Sequence, residues 1–161
     1  MIQIPQDFRE FIQLLNDNAV DYLIIGGYAV AYYGYVRYTC DIDFFIAVGH
    51  ETAEKMVRVF EQFGFKPDEL TPELFLKNGQ VLRIGVEPMR LEVLNEISGV
   101  DFETCYKSKE VLDVDGLKLN FIGINELIKN KESTKRSKDK LDVIELLKCK
   151  NGSSGLNGSE F

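Results

Sequence analysis

Two carboxylates alternate within an apolar segment of the chain, in the run Asp41-Ile42-Asp43-Phe44-Phe45-Ile46. Because successive side chains of a β-strand point to opposite faces, Asp41 and Asp43 are predicted to share one face, roughly 6 to 7 Å apart. Two neighbouring acids repel each other unless a positive charge lies between them. Mg²⁺ binds carboxylate oxygens together with phosphate oxygens and water. The pair therefore indicates a divalent-metal site or, alternatively, ordinary solvent-exposed acids at the end of a strand.

A glycine turn precedes this strand. An apolar run, Tyr22–Ile25, is followed by Gly26 and Gly27 and then by a short predicted helix, Tyr28–Tyr33. A helix N-terminus offers free N–H groups and the positive end of the dipole to a phosphate, and glycine permits a close approach. A plain tight turn is the alternative. The sequence has neither G-x-G-x-x-G nor a P-loop motif, so neither a dinucleotide-binding fold nor a P-loop enzyme is supported.

Together these residues resemble the nucleotidyltransferase superfamily that includes DNA polymerase β. The closer resemblance is to a small bacterial branch related to abortive-infection nucleotidyltransferase toxins, with the pattern GG-x-A-x-x-x-x-G-x-x-R-x-T-x-D-I-D. The matching residues are Gly26, Gly27, Ala29, Gly34, Arg37, Thr39, Asp41, Ile42 and Asp43. The family often has Ser or Thr where this chain has Tyr28, and that hydroxyl helps to hold phosphate. Backbone N–H groups of the turn are still able to hold phosphate without that hydroxyl.

A third carboxylate is implied at Glu92. The segment Met89–Leu94 is predicted to be a strand with Arg90, Glu92 and Leu94 on one face. It resembles the family motif R-[IL]-D-[LV]-L, with Glu in place of the usual Asp. The resemblance implies that Glu92 is a metal ligand and a base toward the attacking hydroxyl. The residues alone leave open that Glu92 simply pairs with an arginine on the sheet surface.

The segment 131–140 is dense in positive charge, which by composition alone is typical of a solvated loop. It also resembles the family's terminal motif, L-I-x-x-K-x-x-x-x-R-x-K-D-x-x-D. The matching residues are Leu127, Ile128, Lys131, Arg136, Lys138, Asp139 and Asp142. The resemblance implies that Lys131 reaches a nucleotide phosphate and that Arg136 orients it, while Asp139 and Asp142 are predicted to form internal salt bridges. The implied nucleotide-binding set is Gly26, Gly27, Tyr28, Arg37, Thr39, Lys131 and Arg136.

The remaining patterns predict an α+β fold, a small mixed β-sheet flanked by helices, as in the polymerase β-like fold. Helical spacing predicts helices at 5–18, 51–63, 102–107, 124–131, with helix-start chemistry at Asn125, and around 141–147. Apolar runs predict further strands at 74–76, 81–84, 110–114 and 117–121, with turns at Asn78-Gly79 and Asp115-Gly116. We expect one domain over residues 1–150. Residues 151–161, rich in Gly, Ser and Asn, are expected to be a flexible tail or an expression remnant.

The overall composition narrows the class of protein. The 161 residues carry a net charge of −7, so a general attraction to nucleic acid is not expected, although the basic segment 129–140 argues mildly for RNA. No apolar run is long enough to span a membrane, and the N-terminus lacks the pattern of a secretory signal. The three cysteines, Cys40, Cys105 and Cys149, form no metal motif and are expected to be reduced, which favours the cytoplasm.

The leading hypothesis is metal-dependent transfer of a nucleoside monophosphate from a nucleoside triphosphate to an acceptor hydroxyl, with Mg²⁺ or Mn²⁺ as the cofactor. The acceptor is a small molecule, a protein or an RNA, and the resemblance raises a toxin role with an antitoxin partner. Two alternatives stay open. One is a nucleotide- or partner-binding protein of the same fold with weak or no catalysis, motivated by Tyr28 and Glu92. The other is a structural interaction module without nucleotide binding.

Overall fold

Six strands form a mixed sheet in the computed structural model, which describes residues 3–39, 41–66, 68, 70–86 and 89–152. The strands are β1 (Tyr22–Ile25), β2 (Asp41–Ile46), β3 (Val81–Ile84), β4 (Arg90–Leu94), β5 (Glu110–Val114) and β6 (Leu117–Phe121). Their order across the sheet is β3-β4-β2-β1-β6-β5. The β2–β4 and β1–β6 pairs are parallel, whereas β1–β2, β3–β4 and β5–β6 are antiparallel. The predicted mixed sheet is confirmed.

Helices flank this sheet as expected for the α+β class. They are α1 (Gln6–Asp17), α2 (Gly26–Tyr32), α3 (His50–Phe63), α4 (Glu73–Leu76), α5 (Phe102–Lys107), α6 (Ile124–Ser133) and α7 (Ser137–Gly152). The α3 helix ends at Gly64, whose φ of 119° is the left-handed conformation that favours glycine after a helix. No helix within the described ranges is long and apolar enough to cross a membrane.

An aromatic core fills the space between one face of the sheet and helices α1 and α3. The Phe11 ring of α1 lies 5.2 Å from the Phe44 ring of β2 and 5.4 Å from the Phe60 ring of α3. All three side chains are fully buried, as is Ile42 beside Phe44. Because residues two apart on a strand share a face, burying Ile42 and Phe44 turns Asp41 and Asp43 to the opposite face. The core packing therefore positions the acids.

The opposite face of the sheet is covered only in part. The Phe102 ring of α5 packs edge-on against Phe45 of β2, with 5.2 Å between ring centroids. The α6–α7 helix pair lies farther along the same face, where Lys131 at the end of α6 borders a cleft shared with Asp43. This uncovered part of the face is where the carboxylates lie.

Three sequence expectations about elements are wrong. Residues 74–76 form helix α4 rather than a strand, because Phe75 is buried against Phe60 with 5.9 Å between their rings. Asn78-Gly79 therefore does not join a hairpin, and β3 pairs with β4 instead. The α6 helix starts after Gly123, and no side chain caps it, so Asn125 is not its cap.

The boundaries of two other segments also differ from expectation. Helix α2 starts at Gly26 rather than at Tyr28, so both glycines belong to its first turn. Helix α7 continues to Gly152 and thus takes in the first two residues of the expected tail. The rest of that tail, 153–161, and Cys40 lie outside the described residues. Cys105 and Cys149 are free thiols.

Candidate active site

Parallel pairing of β2 with β4 brings the three predicted carboxylates together. In this ladder Asp41 is the partner of Arg90, and Asp43 is the partner of Glu92. Asp41, Asp43 and Glu92 are all half-buried on the same face, whereas their strand neighbours Ile42 and Leu91 are buried on the other. We call Asp41, Asp43 and Glu92 the carboxylate cluster. Glu92 comes 49 and 51 positions after Asp43 and Asp41, and the sheet register joins it to them.

Asp43 is the least compensated member of the carboxylate cluster. The pKa of Asp43 is raised to about 7, mainly by burial, then by the charge of Glu92 and a hydrogen bond with it, and least by repulsion from Asp41. The ammonium of Lys131 acts in the opposite direction. One carboxylate oxygen, Asp43 Oδ1, is buried without a hydrogen-bond partner. Since buried polar atoms are nearly always satisfied, this oxygen points to a missing positive partner.

Two arginines pair with the other members of the carboxylate cluster. Arg90 Nη2 donates to Asp41 Oδ2 at 2.7 Å, and Arg83 Nε donates to Glu92 Oε1 at 2.8 Å. Arg83 lies directly across the β3–β4 ladder from Glu92. Glu92 therefore pairs with an arginine, the alternative that the residues alone left open. It also lies beside Asp43, where the family resemblance requires a third carboxylate.

The glycine turn lies against the carboxylate cluster. Gly26 has φ of 68°, a left-handed conformation, and a Cβ built there would lie 2.3 Å from Asp43 Oδ2. A Cβ on Gly27 would lie 2.5 Å from the hydroxyl oxygen of Thr39. Neither position has room for a side chain. The first N–H groups of α2 have no partner within the helix, so this turn carries donors next to the carboxylates.

The predicted nucleotide-binding residues around the turn have different surroundings. The Tyr28 side chain is buried and lies edge-on to Phe8, with 6.1 Å between ring centroids, so its ring belongs to the core. The hydroxyl of Thr39 lies against Gly27 and donates to the backbone oxygen of Asp41 at 3.3 Å. A hydroxyl therefore reaches the turn from Thr39, whereas the Tyr28 ring packs in the core.

Lys131 is the centre of a buried group of charges between the glycine turn and the α6–α7 helix pair. Its Nζ lies 2.9 Å from Asp139 Oδ1 and 3.0 Å from Asp142 Oδ2, and the lysine side chain is only 5% exposed. Arg37 forms a two-pronged pair with Asp142, with both N–O distances 3.0 Å. The predicted internal salt bridges of Asp139 and Asp142 are therefore present. An ammonium has three N–H donors, so two ion pairs leave Lys131 one donor for another ligand.

Arg136 completes this group at its exposed edge. Its Nε donates to Asp139 Oδ2 at 2.9 Å, while 68% of the arginine side chain remains exposed. Burial alone would raise the pKa of Asp139, but hydrogen bonds from Thr134, Lys131 and Arg136 outweigh it and hold this pKa at about 2. We call Arg37, Lys131, Arg136, Asp139 and Asp142 the charged clamp. It joins the loop before β2 to both C-terminal helices.

A cleft of about 800 Å³ separates the carboxylate cluster from the charged clamp. Asp43, Glu92 and Gly26 border it on the sheet side, and Lys131 and Arg136 border it on the side of the helices. Its volume lies within the range of small-molecule and cofactor sites. The predicted site residues that do not border the cleft include Gly27, Arg37, Thr39 and Asp41.

The carboxylate cluster fits a divalent cation in its chemistry. It offers hard oxygen ligands, and the orphaned Oδ1 of Asp43 is the kind of atom that a metal ion satisfies. Within the described part of the chain, no three acidic, histidine or cysteine side chains converge as they do around a bound ion. Asp41 and Glu92 each pair with an arginine instead, and a cation would need the carboxylates that these arginines occupy.

Sequence reasoning missed Arg83 and several other cleft residues. Arg83, Glu96, Asn130, Thr134 and Lys135 border the cleft and were not predicted as site residues. The signal for Arg83 was its charge inside an apolar strand. It was lost because 81–84 was paired with 74–76, which hides the cross-strand contact with Glu92. The residues at the end of α6 required knowledge of where that helix docks.

Comparison with known families gives one match over nearly the whole chain. The sequence profile of the family described as "Nucleotidyl transferase of unknown function (DUF2204)" matches residues 5–157. Comparison with curated protein sequences gives no significant match.

Solved structures share the fold at low sequence identity. An antigenic nucleotidyltransferase-like protein from Paracoccidioides brasiliensis has 17% identity and a TM-score of 0.53, over 87% of this chain and 73% of that one. The lincosamide antibiotic adenylyltransferase LnuA has 13% identity and a TM-score of 0.55, over 91% and 98%. The antibiotic-resistance factor ANT(2'')-Ia has 11% identity and a TM-score of 0.56, over 92% and 84%.

Proposed function

The chain belongs to this nucleotidyltransferase family, and we propose that it transfers a nucleoside monophosphate from a nucleoside triphosphate to an acceptor hydroxyl in a divalent-metal-dependent reaction. The observation that carries the proposal is the buried, unpartnered Oδ1 of Asp43, a residue that borders the cleft and lies next to Glu92 and Asp41. A site with surplus negative charge attracts a cation, and a cation in turn attracts a polyphosphate.

The glycine turn supports a place for the phosphates. Gly26 meets Asp43 so closely that phosphate, cation and backbone can be neighbours without an intervening side chain. On the opposite wall, Lys131 and Arg136 add positive charge. Cationic donors around a reacting phosphoryl group stabilise the charge that develops in the transition state. We assign phosphate contacts to Gly26, Gly27, Lys131 and Arg136, and a supporting role to Tyr28, Arg37 and Thr39.

The proposed reaction is a single displacement at the α-phosphorus. The acceptor oxygen forms a bond to that phosphorus, the bond to the bridging oxygen of the β-phosphate breaks, and pyrophosphate leaves. Glu92 takes the proton of the acceptor hydroxyl, since a carboxylate beside the nucleophile is a general base. Its reach is one methylene longer than that of the aspartate usual in the family.

Asp41, Asp43 and Glu92 would hold the cofactor, Mg²⁺ or Mn²⁺. A bound divalent ion supplies charge neutralisation for the phosphates and activation of the hydroxyl. The protein itself contributes the sheet register that joins Asp43 to Glu92 and the turn that leaves room beside Asp43.

The test is calorimetric titration of ATP, CTP, GTP and UTP in turn, with and without Mg²⁺, into the wild type and Asp43→Asn. We expect binding of at least one nucleotide that requires Mg²⁺ and that weakens more than about tenfold in the variant, as for a lost charged contact of about 1.5–3 kcal/mol. Asp7→Asn is the matched control, because Asp7 is exposed on α1, outside the residues that border the cleft. Absence of heat with all four nucleotides would count against the proposal.

Turnover separates catalysis from binding alone. Incubation with the preferred nucleotide labelled on the α-phosphate, together with extracts of small molecules, protein or RNA, is expected to label one of these acceptor classes and to release pyrophosphate. The alternative of a weak or inactive nucleotide-binding protein predicts metal-dependent binding without label in any class. It draws support from the buried Tyr28 side chain and from the arginines that pair with Asp41 and Glu92.

A toxin role with an antitoxin partner, located in the cytoplasm, remains part of the proposal. It predicts that expression of the wild type, but not of Asp43→Asn, slows bacterial growth. Normal growth at equal protein levels would contradict the toxin role while leaving the transfer reaction intact.

A further inference from the structure

Arg83 occupies a position in the cleft that the proposed reaction does not yet use. Across the sheet, the glycine turn of β1 comes first, Asp43 of β2 second, Glu92 of β4 third and Arg83 of β3 last. If phosphates lie at the glycine turn and Glu92 takes the proton of the acceptor, Arg83 lies beyond Glu92. It is therefore on the acceptor side of the cleft, away from the triphosphate.

The surroundings of Arg83 favour a ligand with negative charge. Arg83 borders the cleft, and 63% of its side chain is exposed. On the opposite wall, Lys135 also borders the cleft and forms no ion pair within the described part of the chain. A guanidinium presents a planar fork of N–H donors that matches the oxygens of a phosphate, sulfate or carboxylate. The neighbouring strand residues Val81 and Leu94 are apolar, and Glu96 is a further acid that borders the same cleft.

The ion pair between Arg83 and Glu92 is weak enough for other charged groups to replace it. It has a short N–O distance of 2.8 Å, but an ion pair with a largely exposed arginine holds weakly. A divalent cation held by Glu92 would supply a positive charge that repels the guanidinium and competes with it for the carboxylate. Once released, Arg83 remains beside the cleft and can turn to a ligand there.

Building on the proposed function, we propose that Arg83 binds an oxyanion carried by the acceptor close to its reacting hydroxyl, and that Glu92 holds Arg83 until a cation binds. The acceptor class is then a hydroxyl compound with a nearby phosphate-like group. Cation and acceptor binding are coupled, because each requires the same ion pair to open. Such coupling is reciprocal, so the oxyanion must strengthen cation binding as much as the cation strengthens oxyanion binding.

The test measures Mn²⁺ affinity by electron paramagnetic resonance, without nucleotide, in the wild type and in Arg83→Gln. Sulfate is the oxyanion probe, with chloride at matched ionic strength as its reference. We expect Arg83→Gln to bind Mn²⁺ about two- to fivefold more tightly, since a competing exposed pair has been removed. Sulfate is expected to strengthen Mn²⁺ binding in the wild type and to have no effect in the variant.

A control separates this mechanism from a change in net charge. Arg58→Gln removes one charge from an exposed position on α3, outside the residues that border the cleft. We expect its Mn²⁺ affinity to equal that of the wild type, both with and without sulfate. Equal Mn²⁺ affinity in the wild type and Arg83→Gln overturns the inference, and so does sulfate coupling that persists without Arg83. Absence of Mn²⁺ binding in the wild type overturns the proposed function itself, and this inference with it.

Two further probes distinguish the source of the oxyanion. Glycerol 3-phosphate represents a phosphorylated small molecule, and a short single-stranded oligonucleotide represents a nucleic acid end with a free 3′ hydroxyl. Whichever probe strengthens Mn²⁺ binding through Arg83 identifies the class of acceptor. Failure of both, together with failure of sulfate, overturns the assignment.

Discussion

The carboxylate cluster and the charged clamp face each other across one cleft, but their charges are balanced in different ways. With its two arginine partners, the cluster has three acids against two bases. The clamp has three bases against two acids, and its acids are 0% and 1% exposed. Each clamp acid meets at least two cations, whereas one oxygen of Asp43 meets none. The acids of the clamp are fully paired within the protein, whereas the cluster keeps one uncompensated carboxylate, as the proposed cation binding requires.

The largest expected effect comes from opening the clamp at its centre. Lys131→Met leaves Asp139 and Asp142 buried with less compensation, and removal of one partner from a buried ion pair costs about 3–5 kcal/mol. The measurement is the free energy of unfolding in urea. Lys148→Met is the control, because Lys148 is 68% exposed and its pair with Glu145 contributes less than about 1 kcal/mol. Equal losses in the two variants would show that the clamp is not a structural unit.

A second effect tests the clamp by pH. Because its partners hold the folded pKa of Asp139 at about 2, below its ordinary value of about 4, its contribution is present above pH 4 and is lost as the pH falls through 2. Compared with Asp139→Asn, the wild type is expected to be about 2 kcal/mol more stable at pH 6. Urea titrations should show this difference shrinking between pH 5 and pH 2.5. A difference independent of pH would contradict the assignment.

For the carboxylate cluster we expect the opposite pH dependence of the free energy of unfolding. Burial and the neighbouring acids raise the folded pKa of Asp43 to about 7, so ionising Asp43 opposes folding, and the penalty grows as the pH rises from about 4 to 7. Without metal, Asp43→Asn should therefore raise the free energy of unfolding at pH 8, by about 1–2 kcal/mol, and change it little at pH 4. The same urea titrations measure it. Destabilisation by this variant at pH 8 would remove the contrast between the two regions.

The smallest stability effect is expected at Arg136, which belongs to the clamp but borders the cleft. Since 68% of its side chain is exposed, Arg136→Gln should change stability by less than about 1 kcal/mol. Nucleotide affinity, measured by calorimetry with Mg²⁺, should fall if Arg136 contacts a phosphate. Lys148→Gln, equally exposed, is expected to match it in stability and to leave nucleotide affinity unchanged. Unchanged affinity in both variants would assign Arg136 to the clamp alone.

Local patterns were sufficient to predict what depends on one element. The alternation of Asp41 and Asp43 with Ile42 and Phe44 predicted which face carries the acids, because strand geometry fixes it and the core enforces it. Leu74-Phe75-Leu76 was predicted wrongly because three apolar residues are too short to show a period. The segment is helical in the structure, where Phe75 stacks on Phe60 of α3, a contact that the local sequence does not reveal.

Contacts between distant elements were beyond sequence patterns. Arg37 pairs with Asp142, which lies 105 positions away, and the local sequence around either residue does not indicate its partner. The same holds for Arg83, because it lies opposite Glu92 only when β3 pairs with β4. A match to a family motif indicates which side chains are candidates for the site. Only the fold shows which of them form ion pairs with one another.

The pair between Arg37 and Asp142 also has a consequence for the order in which the protein is made. The three acids of the cluster and the glycine turn are synthesised within the first 92 residues, but Asp142 emerges much later. Until α7 docks, Arg37 and Lys131 lack the acid that they share. Contacts of long sequence separation form slowly because a large loop must close. On the ribosome, the wall of the cleft opposite the carboxylates is therefore expected to form after the wall that carries them.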